Sequence, residues 1–92
     1  MRGTKAVARR KIELEQAIAG KDAKLLNLLG ERKGSVVSRD DIQRHIWPEM
    51  TDGARSSMVI DQSIERLRAH LEDDPRSPQR LLTVGEFGYV FM

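Results

Sequence analysis

The sequence contains no cysteine, only two histidines and no long apolar run. Without cysteine, disulfide frameworks, zinc knuckles and thiol catalysis are excluded for these 92 residues. His45 and His70 lie on different predicted helices, and a lone helical histidine is more often a surface residue than a metal ligand or a general base. The apolar runs are too short to span a bilayer. We therefore expect a soluble, cytoplasmic protein that does not contact a membrane, is not an enzyme, and holds no metal or cofactor.

The net charge of +2 is unevenly distributed along the chain. Residues 1–24 carry seven Lys or Arg against three acids, whereas residues 25–92 carry nine against eleven. The excess of basic charge therefore lies at the start of the chain, and total charge is no argument for nucleic-acid binding by the rest. We expect residues 1–10 to form a flexible arm and residues 11–92 to form one domain.

The first half of the chain predicts two helices after a segment that fits two structures. Residues 11–18, KIELEQAI, alternate as an edge strand does, but together with Val7 they also fit a helix. Residues 20–31 predict a helix that buries Leu25, Leu28 and Leu29. A second helix is predicted from Arg39 to about Trp47, because Ser38 can cap the amide of Asp41, Val37 can pack on Ile42 and Pro48 stops the helix.

The second half of the chain predicts a long amphipathic helix and a β-hairpin. Steps of four, three and four residues stack one apolar stripe, made of Ile60, Ile64, Leu67 and Leu71. The opposite, polar face carries Gln62, Glu65, Arg66 and Ala69. Ser56 is predicted to cap this helix, which then covers about residues 57–72. Residues 81–84 and 89–92 predict two strands around a turn at Gly85 to Gly88, with Tyr89 and Phe91 on the core face.

Four segments in this order carry a resemblance to a known family: AKLLNLL, GSVVSRDDIQRHIWP, IDQSIERLRAHLEDDP and LLTVGEFGYVF. Over about residues 16–92 the chain resembles the C-terminal effector domain of OmpR/PhoB-type bacterial response regulators. The resemblance implies an α+β, mostly α fold, the winged helix-turn-helix, with a three-helix core and a C-terminal hairpin wing. About twenty residues precede the first helix, so we expect the family's N-terminal sheet to be short or partial.

The resemblance also implies sequence-specific binding of double-stranded DNA in bacterial transcriptional regulation. The helix at about 57–72 would lie in the major groove, and the wing, residues 81–92, at the neighbouring minor groove. Asp61, Gln62 and Arg66 fall where family members contact bases, and each can bond a base edge. Positions that contact phosphate are occupied here by Arg39, Trp47, Ser63 and Arg68. For Trp47, a structural role as an aromatic closing the second helix has equal weight.

In the wing, Thr83, Gly85 and Glu86 occupy the positions expected to face DNA, and here the sequence departs from the family. Gly85-Glu86 stand where an Arg-Gly pair is usual, and Glu65 stands where Arg is common. Both departures reduce the attraction to phosphate. They support an alternative, in which the domain binds another protein and binds DNA weakly or not at all. Further candidate partners are RNA polymerase, an upstream regulatory domain, and a second copy in a dimer on DNA.

Overall fold

A computed structural model describes Ile18 and residues 20–92. The predicted strand or helix at residues 11–18, the flexible arm at residues 1–10 and the partial N-terminal sheet lie essentially outside these residues. Within them, three helices precede a hairpin, as the sequence predicts. The elements are α1 (Gly20–Glu31), β1 (Val37–Ser38), α2 (Arg39–Ile46), α3 (Gly53–Leu71), β2 (Leu81–Val84) and β3 (Gly88–Phe91).

The helices α1 and α2 form as the sequence predicts. The helix α1 buries the three predicted leucines, Leu25, Leu28 and Leu29. At the start of α2, the hydroxyl of Ser38 accepts a hydrogen bond from the amide of Asp41 at 3.0 Å. This satisfies one of the amides that the first turn of a helix leaves free. Val37 and Ile42 are both fully buried, as expected if they close the same end of α2.

The start of α3 differs from the prediction. The helix begins at Gly53 instead of about residue 57, because Asp52 and not Ser56 is the capping residue. The carboxylate of Asp52 accepts hydrogen bonds from the amides of Ala54 and Arg55 at 3.0 and 3.3 Å. Ser56 lies inside the first turn, is buried, and donates its hydroxyl to the carbonyl of Gly53. An aspartate at the cap also places a negative charge at the positive end of the helix, which favours the earlier start.

The sheet contains a strand that the sequence analysis did not predict. Its order is β1-β3-β2, with both neighbouring pairs antiparallel. The sequence predicts residues 37 and 38 only as the start of α2, but in the structure they form β1, which pairs with β3 through Val37 opposite Tyr89. A β-carbon on Gly88 would lie 2.0 Å from the carbonyl oxygen of Val37. The close approach of β1 to β3 therefore requires glycine at position 88.

One apolar core joins the three helices to the inner face of the sheet. The stripe of α3 supplies Ile60, Ile64 and Leu67, each 1% exposed, while Leu71 is half-buried. The sheet contributes Val37, Leu81 and Tyr89, and Trp47 closes the end of α2. This arrangement confirms the winged helix-turn-helix predicted from the sequence. Within the described part of the chain, the helices lack the length and apolar character that a bilayer crossing requires.

The end of α3 holds the outer edge of β2. The carboxylate of Glu72 accepts hydrogen bonds from three successive backbone amides, those of Gln79, Arg80 and Leu81. Burial alone would raise the pKa of Glu72, but these bonds outweigh it and hold the pKa below its usual value. In the fold, Glu72 satisfies backbone groups of an edge strand that lack a partner strand.

Candidate nucleic-acid interface

The outer face of α3 is polar and exposed, as its sequence predicts. Gln62, Glu65, Arg66 and Ala69 are exposed, and the apolar stripe lies on the opposite side of the helix. Because α3 begins four residues earlier than expected, its face also includes Arg55. Met58 lies on the same face and is 54% exposed. A helix of 19 residues with this exposed side has the length and shape to enter a major groove of DNA.

Arg66 is held by a carboxylate of α1. Its Nε donates to Oδ2 of Asp22 at 2.8 Å and its Nη2 donates to Oδ1 at 3.1 Å. The hydroxyl of Ser63, which is fully buried, donates to the same Oδ1 at 2.5 Å. The hydrogen bonds from Arg66 lower the pKa of Asp22, against the opposing effect of partial burial. The side chain of Arg66 still keeps 56% of its surface exposed.

Arg39 lies at the centre of a second network, which joins α2, α3 and the wing. Its Nη2 donates to Asp61 at 2.7 Å and to the hydroxyl of Tyr89 at 3.0 Å, and its Nη1 donates to Ser57 at 3.1 Å. Tyr89 in turn donates its hydroxyl to Asp61. Burial, together with this bond to a carboxylate, raises the pKa of Tyr89 to about 12. Arg39 and Tyr89 therefore both hold Oδ1 of Asp61 and orient its carboxylate.

Arg68 is buried between α3 and β2. Its Nε donates to the carbonyl of Leu81 at 3.0 Å, and its Nη2 donates to the hydroxyl of Thr83 at 2.8 Å. Its Nη1 lies 3.4 Å from Glu65, one turn earlier on α3. The residue is 8% exposed. All three guanidinium nitrogens thus have partners within the domain, and Arg68 joins the helix to the wing.

Trp47 is also buried, at 5% exposure, and lies at the turn between α2 and α3. Gln43 holds this turn, because its side-chain amide donates to the carbonyls of Trp47 and Met50 at 2.9 and 2.6 Å. The ammonium of Lys21 lies 5.9 Å from the centre of the indole ring. The geometry suits the structural role of Trp47 that the sequence left open beside a phosphate contact.

The tip of the wing, residues 85–87, is exposed. Gly85 has a φ of +52°, a conformation that favours glycine. Glu86 extends into solvent and Phe87 is 64% exposed. The carbonyl of Phe87 accepts a hydrogen bond from the amide of Arg39 at 2.9 Å, which ties the tip to the start of α2. Thr83, also exposed, is the wing residue bound by Arg68.

Charges at this surface are largely balanced. Arg39, Arg66 and Arg68 each lie within 4.0 Å of a carboxylate, and Glu86 adds a further acid. Arg55, in the first turn of α3, is the exposed arginine on the helix without such a neighbour among the described residues. The partners Asp22, Ser57 and Tyr89 were not predicted at this site, because no local pattern places them beside α3.

Comparisons with known proteins agree with this architecture. The model of a family described as "Transcriptional regulatory protein, C terminal" matches residues 9–91, which confirms the resemblance seen in the sequence. A "Probable transcriptional regulator ycf27" of Guillardia theta is 39% identical over 74 residues, covering 80% of this chain and 29% of the relative.

Two further relatives extend this similarity. A protein of the same name in Cyanophora paradoxa is 34% identical over 74 residues, covering 80% of this chain and 31% of the relative. The "Transcriptional regulatory protein AfsQ1" of Streptomyces coelicolor is 37% identical over 68 residues, covering 74% of this chain and 29% of the relative. The chain thus spans about three tenths of the length of the curated relatives that it matches.

Proposed function

Because the chain belongs to the family of C-terminal domains of transcriptional regulatory proteins, we propose that it binds double-stranded DNA sequence-specifically and regulates transcription. The single observation that carries the proposal is the exposed polar face of α3 on a helix-turn-helix, with Gln62 and Arg66 at its centre. In this proposal α3 enters the major groove and the wing lies at the adjacent minor groove. The domain acts in the compartment that holds this DNA.

We assign base reading to Gln62, Arg66 and Asp61. Gln62 is exposed and suits adenine, whereas Arg66 suits guanine. The side chain of Asp61 is 50% exposed, so one side of its carboxylate can accept from a cytosine amino group while Arg39 and Tyr89 hold the other. Arg39 is assigned to phosphate through its remaining Nε donor, although its inward bonds limit its reach.

Trp47, Ser63 and Arg68 receive supporting roles in this proposal. Each is less than 9% exposed, and the side chains of Ser63 and Arg68 donate their hydrogen bonds inside the domain. A buried group with satisfied donors gains little from a phosphate, since it would first have to break those bonds. We propose that these three residues shape the surface, and that the exposed Arg55 at the start of α3 supplies phosphate attraction.

Selection of bound duplexes from a random pool, with the whole chain as bait, tests the proposal. We expect an enriched motif. Arg66→Ala should then cost about 1–3 kcal/mol on that motif and relax the preference at one base position. Arg76→Ala is the matched control, because the Arg76 side chain is 94% exposed and lies beyond α3. An equal loss on all sequences would instead assign Arg66 to phosphate.

A second candidate function is recognition of another protein by the same surface. The balanced charges and the exposed apolar side chains of Met58 and Phe87 favour it. In that case the selection would enrich no motif, and binding to duplex would be weak and indifferent to sequence. Within the proposed DNA function, RNA polymerase, a regulatory domain in the same polypeptide and a second copy on DNA are the partners that we would test next.

A further inference from the structure

The arginines around α3 differ in which side of the guanidinium is occupied. Arg68 has a partner on all three nitrogens. Arg39 uses both of its terminal nitrogens inward, on Ser57, Asp61 and Tyr89. Arg66 uses Nε and one hydrogen of Nη2, both on Asp22. Among these three arginines, Arg66 is therefore the one whose Nη1–Nη2 side has no partner in the described part of the chain.

A guanidinium is planar and carries five N–H donors, four of which form two parallel pairs on different edges of that plane. Asp22 occupies the Nε–Nη2 pair with the two-point geometry typical of an arginine and a carboxylate. The remaining pair can make the two-point contact with O6 and N7 of guanine. A carboxylate bound in this way fixes the plane of the guanidinium and does not compete with the base for the same donors.

Asp22 is itself held in place. It lies in the first turn of α1, its side chain is 20% exposed, and the buried hydroxyl of Ser63 donates to its Oδ1. Ser63 comes one turn before Arg66 on the same helix, so the arginine, the serine and the aspartate form a closed set of contacts between α1 and α3. Such second contacts orient a binding group more firmly than its own long side chain can.

We infer that Asp22, supported by Ser63, is the positioning residue that fixes the free side of Arg66 toward a guanine in the major groove. The inference rests on the proposed DNA-binding function and goes beyond it, since it names the base and assigns part of the specificity to α1. Asp22 does not touch DNA. Its effect is on the preference for guanine over other bases, because a freely rotating Arg66 would bind phosphates and other base edges as well.

Asp22→Asn is the principal test. Asparagine keeps the size of the side chain and an oxygen that can accept from Ser63, but its amide nitrogen cannot accept the second hydrogen bond from Arg66. We expect the variant to prefer guanine about tenfold less than the wild-type chain does at one position of the selected duplex. The preferences at the other positions of the motif should be retained. Glu31→Gln, which removes the same charge from an exposed position of α1, should leave the guanine preference unchanged.

Two further variants separate positioning from mere stability. Ser63→Ala should also reduce the guanine preference, but by less, because the hydrogen bonds between Arg66 and Asp22 remain. In Arg66→Ala, adding Asp22→Asn should cause no further loss of preference, because the two residues act through one contact. Thermal unfolding of each variant measures any loss of stability, and should Asp22→Asn fail to fold, Ser63→Ala and its double variant with Arg66→Ala carry the test.

The outcomes are distinguishable. An unchanged guanine preference in folded Asp22→Asn overturns the inference, and so does a rise in affinity that is equal for all duplexes, since Asp22 would then act only by repulsion. If the wild-type chain enriches no motif, the proposed function itself fails. A loss of guanine preference in Asp22→Asn, a smaller loss in Ser63→Ala and none in Glu31→Gln supports the inference.

Discussion

Replacing Arg68 by methionine tests whether this arginine holds the wing or is available to DNA. Methionine keeps most of the aliphatic length but removes every donor of the guanidinium. The change leaves the carbonyl of Leu81, a fully buried residue, and the hydroxyl of Thr83 without the partners at 3.0 and 2.8 Å. It also leaves Glu65 without its basic neighbour, but Glu65 is exposed and this loss is small.

The size of the effect follows from these contacts. A hydrogen bond from a charged donor contributes about 1.5–3 kcal/mol, and an unpaired buried acceptor costs about 1–3 kcal/mol. Part of this loss is offset in the methionine variant, because a charged guanidinium no longer has to be removed from water at a site that is only 8% exposed. We therefore expect the free energy of unfolding to fall by about 2–4 kcal/mol, which is a large part of the stability of a small domain.

Urea denaturation followed by circular dichroism measures this free energy, and Arg76→Met is the control. The same substitution at the exposed Arg76 should change it by less than about 0.5 kcal/mol. A loss below about 1 kcal/mol for Arg68→Met would refute the reasoning, because the contacts to β2 would then contribute little. If that variant also lowered the salt dependence of DNA binding by about one unit, Arg68 would be a phosphate contact after all.

Three further predictions concern the core, the wing and the tyrosine. Ile64→Ala should destabilise the domain by about 2–5 kcal/mol in the same assay, because Ile64 is 1% exposed in the core; a loss below about 1 kcal/mol would contradict this packing. Glu86→Arg should raise affinity for duplex at low salt and steepen its salt dependence, with Gly85 left unchanged because of its positive φ; equal titration curves would mean that the wing does not approach DNA. Tyr89, the single tyrosine, should ionise near its pKa of about 12 in a phenolate absorbance titration. Since this pKa is raised on folding, stability should fall as the pH rises from about 10 toward 12, and Asp61→Asn should lower the midpoint; ionisation near pH 10 in the folded protein would refute the buried network.

The sequence alone predicted the helices, the hairpin and the phase of α3. These features rest on short-range signals: the spacing of apolar residues, the capping serine at position 38, and the glycines around the wing turn. The start of α3 was missed by four residues, because Asp52 and Ser56 are both plausible caps and only the path of the preceding turn decides between them. Strand β1 was missed because two residues carry no periodic pattern, and its pairing depends on β3, fifty residues later.

Only the tertiary structure decided which polar residues at the candidate interface are buried and which of their donors are hydrogen-bonded within the domain. Helical phase places Arg66 on the outer face of α3 and Arg68 on its flank. It does not show that β2 covers this flank, which leaves Arg68 8% exposed while the side chain of Arg66 is 56% exposed. The partners of the arginines at this surface come from distant parts of the chain: Asp22 is 44 residues from Arg66, and Tyr89 is 50 residues from Arg39. Periodicity specifies which side of a helix faces the core, since it depends on neighbours within a few turns. Which donors of an arginine remain free depends on where other helices and strands pack against it, and only the folded chain brings those groups within hydrogen-bonding distance.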